Sequence, residues 1–133
     1  VLVVIRDVTE RVAAQNAMLE NEDRYRQIVD LSPNAIFVHV EEEIVFANPA
    51  AASMFGATDL HDLLGRSMIE LVPLRDRSRT LQRRQQAAID GVIPLESHPR
   101  LRLDGSEFMA DVVGSAYIWE GTPATLTIMR ETT

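Results

Sequence analysis

Three histidines and a set of arginines are the side chains here whose types and spacing could do chemistry. His39 lies in an alternating apolar stretch, where it shares a face with Phe37 while Ile36, Val38 and Val40 take the other. An imidazole in that setting is either a hydrogen-bonded, partly buried structural group or a contact to a bound molecule. His98 and Arg100 stand two residues apart in a second extended stretch and so share a face. For His98 the plainer reading is an edge residue in solvent. Arg100 could hold a carboxylate in two bonds at once through its planar fork. The competing reading pairs it with an acid on the next strand, where Asp111 is in range although alternation puts it off that face. His61 lies close to Asp59 and Ser67, but a nucleophile needs an oriented base and an oxyanion site, and no motif supplies them. The glutamates at 41–43 beside His39 should face water at a hairpin tip, which argues against a metal there.

The elements that must position these groups fit one domain plus an appendage, since the chain has 133 residues, 46% of them hydrophobic. Cysteine is absent, which removes disulfides and thiolate chemistry. A net charge of -7 argues against nucleic acid as a partner. Every basic residue other than histidine is arginine; Arg75, Arg77, Arg79, Arg83 and Arg84 cluster along one expected helix, interleaved with Asp76, and read as a solvated face. Arg66, after Gly65, reads as a structural cap or ion-pair partner. No apolar run reaches membrane-spanning length, and the opening VLVVI is too short for a signal peptide, so the expected location is cytoplasmic with no direct membrane contact.

Residues 1–5 form an aliphatic run typical of a buried strand. Thr9 can cap a helix that runs without Gly or Pro to Leu31, roughly 22 residues or about 33 Å. Its apolar stripe is sparse, which fits a linker or coiled-coil helix better than a core helix. Ala35–Val40 and Ile44–Ala47 read as a hairpin around the acidic turn. Asn48–Pro49 is a cap-and-first-turn signal for a short helix ending near Gly56. Two further short helical pieces follow, and Pro73 opens a helix of about 17 residues ending at Asp90–Gly91. Strands are expected over 93–103, 107–119 and 124–130, with Asp104–Gly105 as a tight turn. Strands in two groups joined by local hairpins imply an α+β fold with a largely antiparallel sheet.

The first nine residues, VLVVIRDVT, align with the last nine, TLTIMRETT. The offset is about one domain plus one helix, as in a tandem array. Together with SPNAIFV, IVFANPAA, MFG, LLGRSMIELVP and RLRLDGSEF in order, this resembles the PAS family of sensor domains over residues 32–133. Residues 1–9 look like the end of a preceding PAS domain and 10–31 like the linker between them. The resemblance implies a five-stranded antiparallel sheet, order 2-1-5-4-3, with helices on one face around a pocket. It also implies a signal-exit motif, carried by Asp7 and Thr9 and again by Glu131 and Thr133, with Glu131 where the family favours Asp. The missing Asp-Gly at 41–43 implies a first hairpin that is tighter or bulged.

The resemblance turns the Phe37 and His39 face toward the pocket. Candidate pocket residues are then Phe37, His39, Phe46, Met54 and Phe55. Met68, Leu71, His98 and Arg100 complete the set. Photoactive flavin members carry a cysteine where this chain has Met68, and Arg100, Ala110 and Met129 replace the flavin-reading amides. The oxygen-sensing haem members place an axial histidine on the long helix, and residues 73–91 contain none. No cofactor is therefore expected, and no metal; the pocket leaves room for either a small ligand of unknown kind or its own side chains. Two functions follow. One is a ligand-binding sensor in a multidomain signalling protein, a sensor histidine kinase first. The other is a ligand-free dimerisation and relay scaffold in a diguanylate cyclase or transcription regulator. Neither is an enzyme. The expected partners are a second copy, through the N-terminal helix and the sheet, and neighbouring PAS and output domains.

Overall fold

The computed structural model describes residues 26–132. The strand and exit motif expected at 1–9, with Asp7 and Thr9, lie outside the described residues, as do most of the 10–31 helix and Thr133. Residues 26–31 are helical and belong to a separate unit, 1–31; the unit 32–133 carries the fold.

Five strands run β1 (Ala35–Val40), β2 (Glu43–Ala47), β3 (Val92–Leu101), β4 (Glu107–Trp119) and β5 (Thr122–Glu131). They form one antiparallel sheet in the order β2-β1-β5-β4-β3. Between β2 and β3 the chain makes α1 (Pro49–Met54), three single 3-10 turns and α2 (Arg77–Asp90). The sheet therefore has a helix-covered inner face and a second, outer face.

Asn48 joins the two layers. Its side chain accepts from the N–H of Ala51 at 3.0 Å, capping α1, and from the N–H of Ile36 at 2.9 Å in β1. Its Nδ2 donates to the Asn34 carbonyl at 2.9 Å. The cap was legible as a local signal; the bonds to β1 make it a buried tertiary link that leaves few polar groups there unsatisfied.

Both long hairpins follow from their turn residues. Glu120 and Gly121 are left-handed, with φ 47° and 80°, the geometry of a two-residue turn that matches strand twist. At the β3–β4 turn the Asp104 carboxylate accepts from Ser106 N–H at 2.8 Å. The third strand stops at Leu101, short of the expected 103, because Leu103 leaves the ladder and donates to the Phe55 carbonyl at 2.9 Å.

The first hairpin is bulged. Val38 pairs with Phe46 and His39 with Ile44, so Val45 has no partner in β1. The extra residue turns Phe46 to the outer face beside Val38, where its ring lies 5.9 Å from Trp119. Phe46 is thus not a pocket residue, contrary to the sequence expectation.

The core lies between the inner face, α1 and the 3-10 turns. Phe55 is fully buried and meets Phe37 and Phe108 edge to face, with centroids 5.4 and 5.2 Å apart. Leu63, Met68 and Leu71 close this side. Met54 packs on its margin, half-buried.

Candidate functional site

α2 crosses the inner face above β3 and β4. Its N-terminal approach is a 3-10 turn, Leu74–Asp76, rather than the unbroken helix expected from Pro73. It stops at Gly91, whose φ of 79° is the left-handed cap. The inward side of α2 is marked by Thr80 and Ala87, both buried. Arg83 and Arg84 fall between them at the i+3 and i+4 positions, so they too point inward. Their side chains are only 19% and 14% exposed. The reading of this cluster as a solvated face holds for Arg79 but fails for these two. The signal was present in the spacing Thr80, Arg83, Arg84, Ala87, and it was hidden because arginine is ordinarily a surface residue.

The strand beneath supplies more of the same charge. His98 and Arg100, each 3% exposed, both lie on the inner face of β3. The solvent-edge reading of His98 is therefore wrong: α2 covers that edge of the sheet. Arg100 does not pair with Asp111. That carboxylate is on the outer face, where it accepts from Ser97 Oγ at 2.6 Å and Arg130 Nη2 at 2.9 Å.

Arg100 spends one donor on the carbonyl of Pro99, 2.8 Å away. Its Nε is buried and without a partner, as is Nη2 of Arg83. The nearest acid to His98 is Glu96, 3.2 Å from its Nε2, yet that nitrogen makes no hydrogen bond. Arg84 is engaged by the Glu42 carboxylate. Asp76 Oδ2 is also buried and unbonded.

Burial, then the charges of Arg84 and Arg83, lowers the Arg100 guanidinium from its ordinary value to about 10; Asp76 acts weakly the other way. Burial lowers the His98 imidazole, helped by Arg83 and Arg100. Arg83 is likewise lowered, chiefly by burial. Burial and the neighbouring arginines thus disfavour the charged forms of both Arg100 and His98 in one interior region.

His39 differs. Its Nδ1 donates to the Glu41 carbonyl at 2.8 Å, made possible by the left-handed Glu41 (φ 54°), and Nε2 meets Thr127 Oγ1 at 3.4 Å. Both ring nitrogens are engaged within the chain, and burial keeps the ring neutral by lowering its pKa. Phe37, Phe55, Met68 and Leu71 are buried core. Met68 also lines a small enclosed cavity with Arg83, Arg84 and Arg100. Sequence reasoning missed Arg83, Arg84, Thr80 and Thr127 as walls of this cavity.

The Asp59 and His61 pair is an exposed cap. Asp59 accepts from His61 N–H at 2.9 Å and sits 2.8 Å from its Nδ1, while Ser67 bridges to Glu43 instead. Arg66 donates to the Asp62 carbonyl at 2.6 Å, a structural role. Glu131, expected from the resemblance to belong to an exit motif, accepts from Arg102 Nη2 at 2.5 Å, and Arg102 also lies over the Phe108 ring, 4.5 Å from its centroid. Among the described residues no three acidic or histidine groups are placed to hold a metal, and no helix is long and apolar enough to cross a membrane.

An antiparallel sheet of order 2-1-5-4-3 with helices over one face and a polar interior beneath the long helix defines an α+β module. The PAS domain family profile matches residues 23–90, more than half of the chain, and the chain belongs to the PAS domain family. A PAS domain of an HTR-like protein from Haloarcula marismortui is similar in fold, with a TM-score of 0.74 at 22% identity, covering 90% of this chain and 98% of that one. A PAS domain of a two-component sensor histidine kinase gives a TM-score of 0.70 at 14% identity, covering 87% and 99%. The PAS domain of a LuxR-family transcriptional regulator from Burkholderia thailandensis, in complex with ethanol, gives 0.67 at 22% identity, covering 80% and 96%. Comparison with curated proteins returns no match.

Proposed function

We propose that this domain is the ligand-responsive sensor of a multidomain cytoplasmic signalling protein, a sensor histidine kinase foremost, and that it takes a small polar ligand into the interior beneath α2. The observation that carries this reading is the pair of buried, unbonded guanidinium donors of Arg83 and Arg100. A buried donor left unpaired costs about 1–3 kcal/mol, more when charged, so a purely structural domain gains nothing by keeping two. The similar domains of a histidine kinase and of an ethanol-bound regulator support the same class of role.

A second reading has its own support. The interior around Phe55 is filled by side chains, and the outer sheet face exposes Met109 and Tyr117. That combination suits a dimerising relay in a cyclase or transcription regulator, with the outer face and residues 10–31 forming the contact.

Two substitutions in the full-length protein separate these readings. Arg100→Met should change the output activity severalfold while leaving the dimer intact. Tyr117→Asp, on the outer face, should weaken the dimer measured by sedimentation. If output follows Tyr117→Asp and ignores Arg100→Met, the relay reading replaces the sensor reading.

A further inference from the structure

We infer that the enclosed cavity between α2 and the sheet binds one small monovalent anion, with Arg100 Nε and Arg83 Nη2 as its donors. The inference rests on the sensor reading above and adds the charge and size of the ligand.

The polar groups lining the cavity are three arginines and two threonines. The hydroxyls are committed: Thr80 Oγ1 donates to the Asp76 carbonyl at 3.0 Å, and Thr127 Oγ1 faces His39 Nε2 at 3.4 Å. Arg84 is held by Glu42. The unbonded atoms among the lining residues are therefore Arg100 Nε and Arg83 Nη2. A guanidinium donates and never accepts, so the occupant has to be an acceptor. Water accepts as well, and its hydrogens would find the hydroxyl lone pairs of Thr80 and Thr127 as acceptors among otherwise apolar walls of Met68, Ile93, Val112 and Met129. It would, however, leave the charge untouched. An anion satisfies both donors and relieves the mutual repulsion of the arginines.

The charged groups around the cavity support one negative charge. Glu42 is taken by Arg84, and Glu96 lies 3.8 Å from Arg83 Nε with half of its side chain in water. Asp76 favours the Arg100 cation less than Arg84 and Arg83 disfavour it.

Size follows from the space. The cavity gives about 20 Å³ to water-sized centres. One such centre needs roughly 10–15 Å³. Chloride, formate, nitrite or nitrate fit with small shifts of Met68 and Met129, which are flexible. Dicarboxylates and sugar acids do not. Entry is also defined, because Arg84 lines both this cavity and an open surface groove of about 810 Å³ that includes Glu42. The Arg84–Glu42 pair stands between groove and cavity, and its carboxylate competes with the anion for Arg84.

The test is a melting-temperature titration of the 133-residue chain with sodium chloride, formate and nitrate, at constant ionic strength balanced by sodium gluconate. At about a hundredfold excess over the dissociation constant, at least one small anion should raise the melting temperature by several degrees. Arg100→Met should raise the ligand-free melting temperature and abolish the anion response. Arg83→Gln, which keeps hydrogen bonding but loses the charge, should weaken the response severalfold and serves if Arg100→Met does not fold. Glu42→Gln should lower the half-saturating concentration severalfold. Chloride line broadening in NMR, displaced by the tightest anion, gives an independent readout. Equal anion shifts in the parent and both arginine variants overturn the inference. If small neutral molecules stabilise the parent and anions do not, the charge assignment falls while the sensor reading stands; if neither does, both fall.

Discussion

Around Phe55 the inner face of the sheet is dry: Phe37, Phe55 and Phe108 meet edge to face and Leu63, Met68 and Leu71 fill the spaces between. Beneath α2 the same face carries His98 and Arg100, with Arg83 and Arg84 descending from the helix, and two guanidinium donors there go unbonded. The two regions share one sheet and one chain, so the contrast isolates composition. The first region is built to hold the domain together. The second bears like charges whose proton affinities are lowered by burial and by one another, which works against folding. Natural domains keep such arrangements where they serve a site.

Truncation on either side gives the largest expected effect. Phe55→Ala should destabilise the domain by about 3–5 kcal/mol in urea unfolding, through lost burial and a cavity between two rings. Arg100→Met should do the opposite without ligand, raising stability by about 1–3 kcal/mol, because an uncharged thioether that follows the arginine stem as far as Nε replaces a cation whose charge is not fully offset. A loss of stability from Arg100→Met comparable with that from Phe55→Ala would erase the distinction between the regions.

A change of pH probes the boundary. The imidazoles of His39 and His98 both lie below the ordinary value of 6.5, burial being the main cause. The unfolded chain then binds protons at higher pH than the folded one. Stability is full above the ordinary value and falls as the pH drops through it. Each histidine contributes at most about 1.4 kcal/mol per pH unit. Unfolding free energies between about pH 7.5 and 5.5 should decline, and His39→Gln should remove part of the slope. An unchanged slope in that variant would show that burial does not hold His39 neutral.

The smallest effect is expected where the dry region meets solvent. Arg102 spans Phe108 and Glu131. The contact ties the β3–β4 turn to β5. Because Arg102 and Glu131 are both partly exposed, Arg102→Ala should cost about 0.5–1 kcal/mol in stability, and raising salt should shrink the difference. A cost independent of salt would assign the effect to the stacking contact alone.

The sequence by itself determined the order and type of the elements. Alternation, turn dipeptides and caps act over a few residues, so Asn48–Pro49, Gly91 and Glu120–Gly121 announce their boundaries locally. It also placed Phe37, Phe55, Met68 and Leu71 in the interior and put His98 and Arg100 on one face. Only the tertiary structure decided which polar groups that interior holds. The unpaired Val45 sends Phe46 outward, and a one-residue irregularity of that kind reverses a face without leaving a mark in composition. The descent of α2 across β3 and β4 buries His98 and brings Arg83 and Arg84 over Arg100. Those contacts join residues far apart along the chain, and arginine in a helix reads as solvent-facing until something is packed on that side.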